Sequence, residues 1–181
     1  MGKENWAGKL MRRCGWRTEE RVELPERCVV CVAPHTSNWD FILGMLYKVS
    51  RKIEANFFMK KEWFRFPLGG LMRRLGGVAV DRSKNTSLTD QMAEEFGRHR
   101  TFRIAVTPEG TRKGNAEWKK GFYFIALKAS VPIILAYIDY RRKVIGLGQS
   151  IVPSGDYDAD ITAIKEFYRG VTAKYPEKFM V

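Results

Sequence analysis

The stretch Cys28-Val29-Val30-Cys31-Val32-Ala33-Pro34-His35-Thr36-Ser37-Asn38-Trp39-Asp40-Phe41-Ile42-Leu43-Gly44-Met45-Leu46-Tyr47 decides the fold class. Its opening apolar run reads as a buried strand, and Phe41–Tyr47 reads as the body of a helix. Between them stand His35 and Asp40. Histidine is the side chain best suited to moving protons near neutral pH, and a carboxylate beside it orients the ring and stabilises its charged form. On one helix a five-residue step leaves two side chains about 140° apart, and on one strand it sends them to opposite faces. The pair can therefore meet only across a bend, as at a strand-to-helix turn.

Outward from this stretch the pattern alternates. A helix is expected near 39–51, with Ser37 or Asn38 as its N-cap. A strand follows at 55–59, a Pro-interrupted helical stretch at 61–75, and a short strand at 77–80. A helix at 87–99 takes Thr86 or Ser87 as N-cap. Then come a strand at 102–106, a helix at 119–130, a strand at 131–138, a further strand at 143–147 paired as a hairpin, and a closing helix near 158–173. Strands alternating with helices predict a single layered α/β domain over residues 28–181, with a largely parallel mixed sheet flanked by helices. Residues 1–27 read as a basic amphipathic segment ahead of it. Within 1–17, Trp6, Ala7, Leu10, Met11 and Cys14 keep helical spacing, which suits a lipid interface or packing on the domain.

Charge narrows the partners. There are 32 basic and 20 acidic residues, net +12. Residues 1–17 contribute +4 and residues 51–84 contribute +6. Concentrated positive charge attracts nucleic acid, anionic membrane or acidic protein. The second cluster, Lys60-Lys61-Glu62-Trp63-Phe64-Arg65-Phe66-Pro67-Leu68, mixes cations with aromatics, which serves single-stranded nucleic acid or a lipid interface; packing in the core is the plainer role for Trp63 and Phe66. Three cysteines, an odd number, argue against a disulfide framework, and Cys28-x-x-Cys31 lies within an apolar strand where no thiolate is favoured. No apolar run approaches ~18 residues, so no spanning helix is expected. The best-fitting location is the cytosol, peripheral to the inner face of a membrane.

Three loops fall at strand C-termini, where α/β sheets place their sites. They hold His35 and Asp40; Asp81-Arg82; and Thr107-Pro108-Glu109-Gly110-Thr111-Arg112. Arginine grips phosphate through a planar fork, so the crevice suits acyl or phosphoryl chemistry on an anionic substrate. Ser37 is set aside as a nucleophile in favour of its capping role, and Cys31 because it is buried and lacks an evident activator. Two histidines without clustered ligands argue against a metal site.

With these motifs in order, the chain resembles the glycerolipid acyltransferase family, typified by lysophosphatidic acid acyltransferase. The resemblance spans about residues 28–140. It rests on His35-x4-Asp40; on Lys60, Pro67, Gly69, Gly76 or Gly77 and Arg82; on Pro108-Glu109-Gly110-Thr111-Arg112; on Lys119-Lys120-Gly121; and on Val131-Pro132-Ile133-Ile134-Leu135, where Leu135 replaces the family's second proline. It implies transfer of a fatty acyl group from an acyl thioester to a hydroxyl of a lysophospholipid such as lysophosphatidic acid. His35 is then the general base and Asp40 its orienting group. Arg82 and Arg112 hold the acceptor phosphate with help from Lys60. Glu109 binds glycerol hydroxyls or pins an arginine. Backbone N–H groups near Gly110 meet the oxyanion, and Thr111 counts among the substrate-binding residues. The implied partners are a lysophospholipid acceptor, acyl-CoA or acyl carrier protein, and an anionic membrane surface. No nucleic acid, metal or covalent cofactor is expected. The rival reading is a non-catalytic basic module binding anionic membrane or nucleic acid; it accounts for the charge but leaves the motif loops unexplained.

Overall fold

The structure is a computed structural model that describes residues 5–60, 64–65, 69–80 and 87–181. Among the described residues, seven strands form one mixed sheet, flanked by helices in a single α/β domain. In chain order the strands are β1 (Arg17–Glu20), β2 (Arg27–Ala33), β3 (Asn56–Lys60), β4 (Gly77–Val80), β5 (Phe102–Val106), β6 (Ile133–Asp139) and β7 (Val144–Ile151). The helices are α1 (Trp6–Arg13), α2 (Asn38–Ser50), α3 (Gly69–Arg74), α4 (Leu88–Arg98), α5 (Gly121–Ala129) and α6 (Tyr157–Arg169). The spatial order is β1-β7-β6-β2-β5-β3-β4. All neighbours run parallel except the β6–β7 hairpin.

β2 sits near the middle, and its alternation divides the core. Cys28 and Val30 face α1 and α2, packing with Met11, Leu43 and Tyr47. Val29, Cys31 and Ala33 face the other layer, with Met92 and Phe96 of α4, Phe122 of α5 and Tyr168 of α6. A strand covered on both faces needs apolar side chains at every position, which is why this segment reads as an unbroken run. Helix starts follow local chemistry. Ser37 accepts from the Trp39 N–H, Ser87 from the Asp90 N–H, and Asp156 from Asp158 and Ala159.

Two elements depart from expectation. Residues 17–20, within the segment 1–27 read as a separate amphipathic piece, form β1 and pair in parallel with β7. Arg17-Thr18-Glu19-Glu20 has no apolar alternation to announce a strand. Its support is tertiary: Glu19 accepts from the Tyr137 hydroxyl and Glu20 from the Tyr47 hydroxyl. Second, β6 begins at Ile133 rather than 131, because Ser130 closes α5 in a left-handed conformation with φ 53°. Of the expected helical stretch 61–75, the described part contains α3 and, at Phe64, a residue in 3-10 conformation; Trp63, Phe66, Pro67 and Thr86 lie outside the described residues.

Candidate active site

β2 ends at Ala33, the peptide to Pro34 is cis, and the chain turns through His35-Thr36-Ser37 into α2. The bend brings His35 and Asp40 together. Nδ1 of His35 lies 3.5 Å from Oδ2 of Asp40. Asp40 is the third residue of α2, and its carboxylate completes a capping box with Ser37. The same Oδ2 accepts the N–H groups of Thr36 and Ser37, each at 2.7 Å. Oδ1 accepts the hydroxyl of Tyr140 at 2.6 Å. Burial works to raise the Asp40 pKa, but the contacts with His35, Tyr140 and the two amides outweigh it and hold the carboxyl below its ordinary value. Asp40 is thus a buried carboxylate held ionised, with its charge beside a half-buried imidazole.

Glu109 comes from the loop after β5, which pairs directly with β2. Both its carboxylate oxygens accept the backbone N–H of His35, at 3.0 and 3.1 Å. The side chain is 2% exposed. Burial pushes its pKa up to about 7, against the lowering pull of the His35 amide. The resemblance assigned Glu109 to substrate hydroxyls or to an arginine; here it is turned inward and secures the backbone of His35. Gly110 follows with φ +67°, a conformation open to glycine, and the Lys119 side chain lies 3.1 Å from where a Cβ would stand. Its N–H donates to the Thr107 carbonyl at 3.2 Å. That amide is therefore committed to the turn in this structure, not presented as an oxyanion donor. Thr111 accepts from the Lys113 N–H through its hydroxyl, and Arg112 is exposed. Lys60 is the last residue of β3, opposite Val80 of β4, and its side chain is not among those described. Arg82 lies outside the described residues.

Tyr140 had no sequence signal, since a tyrosine just past an apolar strand has many roles. It sits one residue beyond β6, edge-on to Trp16 at 5.1 Å, and its N–H donates to the Thr172 carbonyl. The segment after α6 also reaches the site, through the Tyr175 N–H to the Thr36 hydroxyl at 3.3 Å.

Behind the pair lies a cavity of about 440 Å³ between α2 and the sheet. His35, Asp40 and Thr107 line one part of it; Phe41, Gly44 and Met45 supply the α2 wall, and Val30, Ala105, Ala136 and Leu147 the sheet wall. The walls are almost wholly aliphatic or aromatic. Lys48, also on the lining, donates to the carbonyls of Ala55 and Leu75, each at 2.7 Å. The arrangement sets the His35–Asp40 pair on the edge of an apolar chamber.

The chain is similar to known proteins. Human 1-acyl-sn-glycerol-3-phosphate acyltransferase beta is 29% identical over 124 residues, which are 65% of this chain and 43% of that protein. The chain thus spans less than half the length of this relative. The crystal structure of the 1-acyl-sn-glycerophosphate acyltransferase PlsC from Thermotoga maritima superposes with a TM-score of 0.58 at 18% identity, covering 93% of this chain and 79% of that one. It shares the fold. The family model described as Acyltransferase matches residues 16–139, from the edge strand through the His35–Asp40 turn and the 108–112 loop to the end of β6, and the chain belongs to that family.

Proposed function

We propose that this protein transfers a fatty acyl group from an acyl thioester to a hydroxyl of a lysophospholipid such as lysophosphatidic acid, a step of phospholipid synthesis. The observation that carries this reading is the His35–Asp40 pair at 3.5 Å on the wall of an apolar 440 Å³ cavity. A thioester is already activated, so the chemistry needs a stronger attacking oxygen and a directed proton. His35 takes the acceptor's hydroxyl proton through Nε2 while Nδ1 faces Asp40. The oxygen bonds to the thioester carbon, the carbon–sulfur bond breaks, and the proton passes from His35 to the departing thiolate. Asp40 stabilises the imidazolium formed in between. The acyl chain lies in the cavity, burying methylenes worth ~0.8 kcal/mol each.

The acceptor's phosphate is held by Arg82 and Arg112, with Lys60 in support, and Thr111 borders that loop. Glu109 acts through His35, whose amide it grips. The donor is acyl-CoA or acyl carrier protein; both are anionic and suit the +12 chain. No metal or cofactor takes part in this scheme. The protein works peripherally at the inner face of an anionic membrane; no helix among the described residues is long and apolar enough to cross one.

The test supplies purified protein with acyl thioesters and a panel of lysolipids and follows thiol release. The His35→Ala variant is expected to lose about 10²–10⁴ in rate, the usual worth of a positioned general base. Equal release by both proteins removes His35 from the mechanism. No release from either, across the panel, favours a binding module instead.

A further inference from the structure

Surface helices of a layered domain turn their apolar stripe to the sheet and their charge to water. α2 buries Asp40, Leu43 and Tyr47. Yet a second side of the helix is apolar too. Trp39, Ile42 and Val49 are 55%, 44% and 36% exposed. With half-buried Leu46 between them, these positions step by three and four along one stripe of ~15 Å. From Phe41 to Tyr47 the helix carries no charged side chain.

α1 lengthens the patch. Asn5, its N-cap, donates from Nδ2 to the Val49 carbonyl at 2.7 Å. The next residue, Trp6, therefore stands by the C-terminal end of α2, 64% exposed, and Leu10 follows one turn later at 42%. Cations border the patch. Lys9, Arg12 and Arg13 are exposed on α1, and Lys52 is exposed just past α2 beside Arg51, which pairs with Glu20 at 2.7 Å. At the other end the Lys174 ammonium lies 5.0 Å over the Trp39 ring. The one acid within α1 or α2 is Asp40, and it is buried.

Contiguous exposed apolar surface marks an interaction site. Tryptophans at both ends, aliphatic residues between and cations around them match an anionic bilayer surface, where indole sits at headgroup depth and each basic side chain adds attraction. We infer that the outer face of α1 and α2 docks on an anionic phospholipid bilayer, with the α2 stripe from Trp39 to Val49 lying against the lipid. This rests on the proposed lipid chemistry and goes beyond a terminal anchor in residues 1–17, because the helix bearing Asp40 supplies much of the contact. Docked so, the His35–Asp40 end of α2 faces headgroups, and a lysolipid meets the site without leaving the membrane.

Vesicle flotation of the full chain tests this, with phosphatidylcholine alone or mixed with phosphatidylglycerol. The wild type is expected to float with the mixed vesicles, more weakly as salt rises, and to stay behind with the neutral ones. The double variant Ile42→Glu with Val49→Glu is expected to lose about tenfold or more in partition. Matching circular dichroism and melting temperature establish that it is folded. Undiminished flotation of the folded double variant overturns the inference. So does sedimentation velocity showing a wild-type dimer that the substitutions dissociate, with no vesicle binding. Thiol release measured with a short-chain, monomeric lysolipid separates this from the proposed reaction. It is expected to be unchanged in the double variant, whereas a wild type that floats but releases no thiol counts against the reaction and not the docking.

Discussion

The hydroxyl of Tyr140 donates to Oδ1 of Asp40 at 2.6 Å, across 100 residues of chain. The bond occupies the oxygen that does not face His35. It replaces water in a place where Asp40 is only 4% exposed. A carboxylate so held keeps its orientation and its charge, and both are what the imidazole needs.

Tyr140→Phe removes this donor and keeps the ring against Trp16. A hydrogen bond to a charged group is worth about 1.5–3 kcal/mol. The variant is expected to fold normally and to lose about 10–100-fold in kcat with little change in KM. The acid limb of its pH–rate profile should move to higher pH, since Asp40 loses one of the contacts holding its pKa down. An unshifted profile with unchanged kcat would confine Tyr140 to packing.

Glu109 makes stability depend on pH. The unfolded side chain ionises near 4.5 and the folded one near about 7. Between those values the folded protein keeps a proton that the unfolded chain has released, so raising the pH favours unfolding. The penalty is absent below about 4.5 and complete above about 7. Glu109→Gln removes the titrating group and leaves a carbonyl oxygen for the His35 amide. Urea unfolding from pH 4.5 to 7.5 should show the wild type losing stability relative to the variant, by on the order of 3 kcal/mol. Parallel curves for the two proteins would show that Glu109 ionises normally.

Gly44 lies on the cavity wall, and a Cβ built there meets nothing within 4 Å. Gly44→Ala is therefore expected to raise stability by up to ~1 kcal/mol, through helix propensity. Gly44→Phe sends a ring into the chamber. On the acyl-chain reading it shortens the preferred thioester, with kcat/KM falling about fourfold for each methylene excluded. Competition between thioesters of graded length measures this. An unchanged ranking would place the chain elsewhere.

The cysteines should differ in reactivity. Cys14 is exposed, while burial pushes the thiols of Cys28 and Cys31 up to about 12. A thiol reagent at pH 8 is expected to modify Cys14 alone in the folded protein and all three in urea. Mass spectrometry after quenching reads the sites, and fast labelling of Cys31 would mean that β2 opens readily.

Much of this molecule is legible in its sequence. The apolar run at 28–33 and the helical spacing at 41–47 depend on neighbours only a few residues away, so local periodicity reports them. The same holds for the bend that joins His35 to Asp40, whose carboxylate also completes the cap of its own helix. The 108–112 motif marked the loop that carries Glu109. Tertiary structure alone decided the rest. Arg17–Glu20 is a strand because β7 and two tyrosine hydroxyls receive it. Glu109 turns inward because parallel pairing of β5 with β2 sets it beside an amide 74 positions away in the chain. Tyr140 finds Asp40 because β6 runs next to β2. The apolar pattern of α2 told of burial, but not that two of its sides are apolar for different reasons, one packed on the sheet and one open. Periodicity records which residues avoid water; only the packed chain determines what each of them faces.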